Sequence, residues 1–142
     1  MLRALVLAFS LALAGCSQPE PDAIPNVKLG MSPRDVRDRF DTTGSGSWQT
    51  AVGTGDDTVL DWTAKDSSAK FAHARFEFHL GMLVAVRARS SDRATGEQIA
   101  ATPKTVTLHK PDPEGGTSVV ILARDCPTHK DEAEALAARA KR

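Results

Sequence analysis

The sequence predicts an α+β domain, a mostly antiparallel sheet of about five to six strands with a short N-terminal helix and a C-terminal helix. Three observations lead to that class. Apolar and polar residues alternate with period two in several short runs between residues 47 and 123, the spacing of half-buried strands. Helix-start signals stand before and after that region. The glycines and prolines, 10 and 8 among 142 residues, gather between the alternating runs, where turns belong. A chain of this length makes one domain of ordinary size.

The first segment precedes that domain. Met1-Leu2-Arg3 gives a short positive start, and residues 4–14 are almost wholly apolar. The run is too short for the roughly 20 residues of a bilayer span and fits a secretory signal. It ends in Leu13-Ala14-Gly15-Cys16, which resembles the bacterial lipobox. The resemblance implies a signal peptide over residues 1–15, cleavage between Gly15 and Cys16, and lipid (palmitate among its acyl chains) on Cys16. A thiolate is nucleophilic enough to take the lipid as a thioether. Acyl chains then hold the protein to one leaflet, each buried methylene contributing about 0.8 kcal/mol. Ser17 stands where Asp would resemble an inner-membrane retention signal, so the expected place in a diderm host is the outer membrane, facing the periplasm. Residues 16–26, with Pro19, Pro21 and Pro25, read as a solvated tether, and residues 27–142 as the globular domain.

Met31-Ser32-Pro33-Arg34-Asp35-Val36 opens the first helix. Ser32 is the N-cap, Pro33 the first helical residue, Asp35 the acid of a capping box, and Met31 with Val36 a hydrophobic staple. Val36 and Phe40 make its apolar edge, and Asp41-Thr42-Thr43-Gly44-Ser45-Gly46 ends it. Residues 47–52 and 58–64 are strands around a Gly53-Thr54-Gly55-Asp56-Asp57 loop. In the clearest run, Ala74, Phe76 and Phe78 alternate with Arg75, Glu77 and His79, and Val84, Val86 and Ala88 with Arg87 and Arg89. Both strands are apolar at even numbers and paired residues share a face, so the loop needs an odd count. Leu80-Gly81-Met82 meets this, setting Phe78 opposite Val84, Phe76 opposite Val86 and Arg75 opposite Arg87.

Residues 90–102 read as polar turn with at most one helical turn, and 105–109 as a strand with Val106 and Leu108 inward. Residues 110–116 form a proline-stiffened loop, and 118–123, apolar on both faces, a strand covered on each side. Thr128 is the expected cap of the last helix. Asp131, Glu132 and Glu134 near its start and Arg139, Lys141 and Arg142 near its end suit the macrodipole. Leu136 is its only large apolar residue, so this helix is expected to dock weakly.

Leu29-Gly30-Met31-Ser32, then Val36, Trp62 and Phe76-Glu77-Phe78-His79-Leu80-Gly81-Met82-Leu83-Val84 together resemble the SmpA/OmlA type of small outer-membrane lipoprotein. There a Gly-Met-Ser or Gly-Met-Thr helix start precedes a three-stranded antiparallel sheet whose last hairpin carries Phe-x-Phe and Gly. The likeness spans roughly residues 27–89. It implies a helix-plus-sheet fold and work in the outer envelope. In place of the family's Leu-Gly-x-Pro after the helix stands Phe40-Asp41-Thr42-Thr43.

Charge and motifs narrow the chemistry. The 18 Lys and Arg balance the 18 Asp and Glu, which leaves no whole-protein field for nucleic acid, and membrane association rests on lipid. His73 and His79 stand six residues apart on one strand, about 20 Å, too far to share an ion. His109 and His129 lie on other segments. All four are expected at the surface, with no metal or cofactor. In Asp125-Cys126-Pro127-Thr128-His129, a Cys between a strand and a helix start could be an activated thiol with His129 as base. Only 16 residues follow it and no resolving Cys is present, so Cys126 is expected to be a small buried residue. Trp48 and Trp62 are expected in the core, and Arg75, Arg87, Arg89 and Arg93 on a solvated sheet face. The expected function is a lipid-anchored envelope protein whose domain is non-catalytic and binds another envelope protein through a sheet face or edge. A ligand- or inhibitor-type module with a pocket at the tryptophans is the alternative. A thiol-dependent enzyme using Cys126 and His129 comes third.

Overall fold

The computed structural model describes residues 23–53 and 55–142. Its elements are α1 (Pro33–Phe40), β1 (Gly46–Val52), β2 (Asp57–Ala64), β3 (Phe71–His79), β4 (Met82–Ser90), β5 (Gln98–Ala101), β6 (Thr105–Pro111), β7 (Thr117–Ala123) and α2 (Lys130–Arg139). All strands join one antiparallel sheet in the order β1-β2-β3-β4-β7-β6-β5. The sheet thus has seven strands where five to six were expected. The unexpected strand is β5, whose Gln98-Ile99-Ala100-Ala101 is too short to display a period. It forms because β6 offers it an edge, from Gln98↔His109 to Ala101↔Val106.

The two helices cover different halves of the sheet on opposite faces. On one face, α1 and the segment before it lie over β1 to β4 and bury Leu60, Trp62, Phe76, Phe78, Leu83 and Val86 with Val36. On the other, α2 lies over β4 to β7, where Ala85, Val106, Leu108 and Leu122 meet Ala133, Leu136 and Ala137. Weak docking of α2 is therefore not what its burial shows. Two buried alanines let the helix approach closely, and one Leu suffices to fill the contact.

Three local expectations are corrected. The sequence implies a tether to residue 26, yet Ile24 is wholly buried and Ala23 packs on the core. A single Ile among prolines carries no period, but the sheet face beneath it needs a cover. At α2, Thr128 is not the cap; His129 occupies the N-cap position and makes no side-chain cap.

The third correction concerns the central hairpin. Its loop is the two-residue Leu80-Gly81, both with positive φ (50° and 75°), so His79 pairs with Met82 and Phe78 with Leu83. Such a primed turn matches the twist of its strands. One register shift follows at once, between Glu77 and Phe78, leaving Val84 as the extra residue of a bulge. Beyond it the ladder is the one the pattern implies: Phe76 faces Val86 and Arg75 faces Arg87. Leu83 takes the core position reserved for Val84, its N–H donating to the Met31 carbonyl and its carbonyl accepting from Gly30 N–H, both at 2.8 Å.

Candidate functional site

The tryptophans are committed to packing. They pair across β1 and β2, and the Phe40 ring stands edge-on to both, at 5.9 Å from Trp48 and 5.1 Å from Trp62. Trp62 lies over Gly46, where an added Cβ would come within 2.1 Å of the indole. Its N–H donates to Asp41 at 2.8 Å. A groove of about 680 Å³ over the sheet is lined by neither ring.

The other face of β2 to β4 carries a charged row rather than free arginines. Arg75 holds Asp61 through two bonds of 2.9 Å, and Arg87 holds Glu132 of α2 through bonds of 3.0 and 2.7 Å. The Arg75 pairing depresses the Asp61 pKa, and the Arg87 pairing depresses that of Glu132. Arg89 is paired with Glu114. A sheet carrying Arg75 opposite Arg87 is tolerable because each guanidinium has its own carboxylate.

The histidines separate. His79 meets Asp57 at 2.7 Å, and His73 lies 3.5 Å from Asp61. His109 lines a groove on the α1 face. His129 corrects the expectation of a surface residue: it is buried, with Nε2 3.0 Å from Glu77 Oε2. A turn from a sheet to a docked helix places this ring inside the joint, which composition cannot reveal. Among the described residues, no group of three His, Cys, Asp or Glu is placed to hold a metal ion.

Cys126 is 5% exposed and unpaired, and its carbonyl accepts the His129 backbone N–H at 3.1 Å. The His129 ring is turned to Glu77 instead. An activated thiol needs an open Cys beside a free base.

Two surfaces stand out among the described residues. One is that groove, over the half of the sheet that α1 leaves bare. Val86, Ile121 and Thr107 floor it and Val27 with Leu29 wall it. The other is the tip of the hairpins, where Val52, Leu80 and Met82 are 80%, 61% and 52% exposed. Leu80 adopts φ +50°, a left-handed conformation that favours Gly or Asn. The sequence signal is an apolar residue directly before the Gly of a two-residue turn, which a three-residue Leu80-Gly81-Met82 loop does not display.

Gly15 and Cys16, with the signal peptide and most of the tether, lie outside the described residues. Among the described residues no helix is long and apolar enough to cross a membrane. No family model matches the chain, and no curated protein or solved structure matches it either.

Proposed function

We propose that this chain is a lipid-anchored cell-envelope protein, held to the membrane through Cys16, whose non-catalytic domain binds another envelope protein. The SmpA/OmlA resemblance of residues 27–89 belongs to the same reading, as does a periplasm-facing outer-membrane location in a diderm host. The anchor half rests on the Leu13-Ala14-Gly15-Cys16 box and the apolar run before it.

The binding half rests on one observation: Leu80 is a large apolar side chain, exposed, in a strained backbone conformation. Gly or Asn in its place would relieve strain and exposure together. Stability therefore gives no reason for Leu here, and contact with a partner does. Val52 and Met82 extend the same apolar tip. Ala23, where the chain arrives from the tether, lines a cavity with Phe71, Ser90 and Thr117, at the far end of the strands. Eight residue steps along β3, from Phe71 to His79, separate that end from the tip, about 26 Å. A domain held through Cys16 thus presents its apolar tip away from its point of attachment.

The test uses photo-crosslinking residues placed at Leu80, Met82 and, as a control, Glu114 in the full chain within its own envelope. A discrete adduct from the first two and none from the third is expected. Equal labelling at all three positions, or none, would overturn the assignment of the tip. Palmitate labelling that persists in Cys16→Ala would overturn the anchor. The groove favours a second reading, a small-ligand site, because its volume lies in the range of ligand cavities; a small molecule that raises Tm in the native chain but not in an Ile121→Lys chain would support that one.

A further inference from the structure

Strand β1 is an edge without the usual guards. Natural sheets protect their edges with Lys, Pro, bulges or short strands. β1 is seven residues long, Gly-Ser-Trp-Gln-Thr-Ala-Val, with neither a charge nor a proline. Its ladder with β2 runs from Gly46↔Ala64 to Val52↔Thr58 with no shift of register. The opposite edge, β5, has only four residues.

The hydrogen bonds that β1 leaves unused among the described residues can be assigned. Gly53 N–H donates to the Asp57 carbonyl and Lys65 N–H to the Ser45 carbonyl, so the odd-numbered residues of β1 are the ones bonded to β2. The N–H and carbonyl groups of Trp48, Thr50 and Val52 therefore point away from the sheet.

The geometry points to a second copy of this chain as the occupant, β1 pairing antiparallel with β1 about a two-fold axis at Thr50. That register sets Thr50 against Thr50, Gln49 against Ala51, and Trp48 against Val52 of the other copy. Every outward group of these three even-numbered residues finds a partner. Val52, 80% exposed in the single chain, gains the flank of a half-buried Trp48 on the same face. Aromatic with β-branched and Thr with Thr are favourable cross-strand pairs, and uncharged meets uncharged throughout. An isologous pairing asks for a self-complementary strip, which this is. Arg37 lies 5.7 Å over the Trp48 ring and donates to Thr50 Oγ1. Two Arg37 side chains thus flank the axis, and added salt strengthens the pair by screening them. Few side chains take part, so the contact is a weak one. Leu80 and Met82 stay outside it, and it does not depend on the anchor.

The test is a disulfide across the axis. Antiparallel bonded pairs hold their Cα atoms about 5.5 Å apart, within disulfide range. Thr50→Cys in the purified full chain at high concentration should give a covalent dimer on mild oxidation. Ser47→Cys should give at least tenfold less, and Val52→Lys added to Thr50→Cys should lower the yield severalfold. No dimer from Thr50→Cys, or equal yields from both positions, would overturn the pairing. Hydrogen exchange on the unaltered purified chain reads the same contact without a variant. The Trp48, Thr50 and Val52 amides should slow as concentration rises, while those of Gln49 and Ala51 do not. Rates independent of concentration refute the proposal.

Discussion

Asp41 accepts the indole N–H of Trp62 at 2.8 Å, so the C-cap residue of α1 also orients a core side chain of the sheet. The same carboxylate takes the Ser45 and Gly46 backbone N–H groups at 2.8 and 2.9 Å. One acid thereby closes the helix, opens β1 and fixes the ring between them.

That arrangement predicts an acid-sensitive step. Burial alone would raise the Asp41 carboxyl, but the Trp62 indole, the Ser45 and Gly46 N–H groups and the Ser45 hydroxyl outweigh it and lower the pKa from 3.8 to about 2. A folded value below the unfolded one contributes stability above about pH 4, and that contribution is lost as the pH falls toward about 2. Asp41→Asn should cost about 1–3 kcal/mol at neutral pH. Urea midpoints between those two pH values should fall less steeply in the variant; an unchanged slope would count against this role.

The bulge gives a second prediction. Deleting Val84 leaves Phe78 opposite Leu83 and Glu77 opposite Ala85, the pairs already present. The deletion should therefore cost less than Phe78→Ala, which removes a buried ring at about 3–5 kcal/mol. Equilibrium unfolding of both variants compares them directly, and a deletion as damaging as the alanine would show that Val84 carries packing of its own.

A third concerns Arg75. From the sequence alone, Arg75→Glu relieves a like-charge pair with Arg87 and is expected to be neutral or stabilising. In the structure it breaks the two-bond pair with Asp61 and adds a carboxylate between Asp61 and Glu77. The pair is half exposed, so the loss should be modest, about 1 kcal/mol. Raising the salt concentration should shrink it, which thermal melts at two ionic strengths will read.

Cys126 supplies a fourth. At 5% exposure its thiol should react with a maleimide only as the protein unfolds. A mass shift within minutes on the native chain would instead demand an open site beside His129.

What the residues disclosed beforehand follows their periods. Even-numbered burial at Ala74, Phe76 and Phe78, and again at Val86 and Ala88 beyond the bulge, and the two-faced burial of β7 stood in the sequence because alternation reports which face is wet. The Leu80-Gly81 turn did not, because an odd loop and a two-residue turn with one bulge satisfy the same parity. β5 is a strand by virtue of its neighbour, and Ile24 is buried by virtue of what lies beneath it. The candidate site was least legible. Exposure of Leu80 and the open edge of β1 are properties of assembly, and no single residue announces them.

The split covering of the sheet bears on the order of folding. Residues 23–90 supply α1, β1 to β4 and most of one core, and their ladders join sequence neighbours through short turns. The β4–β7 ladder must instead close over residues 91–116, a larger loop with a larger entropic cost. The first unit can thus form early, and β7 then docks on β4 and brings Val119 and Ile121 into the core already made. Substitutions in the late unit, such as Leu122→Ala, should chiefly speed unfolding, whereas Phe76→Ala should slow folding itself. A chevron in which Leu122→Ala moves only the folding arm would reverse that order.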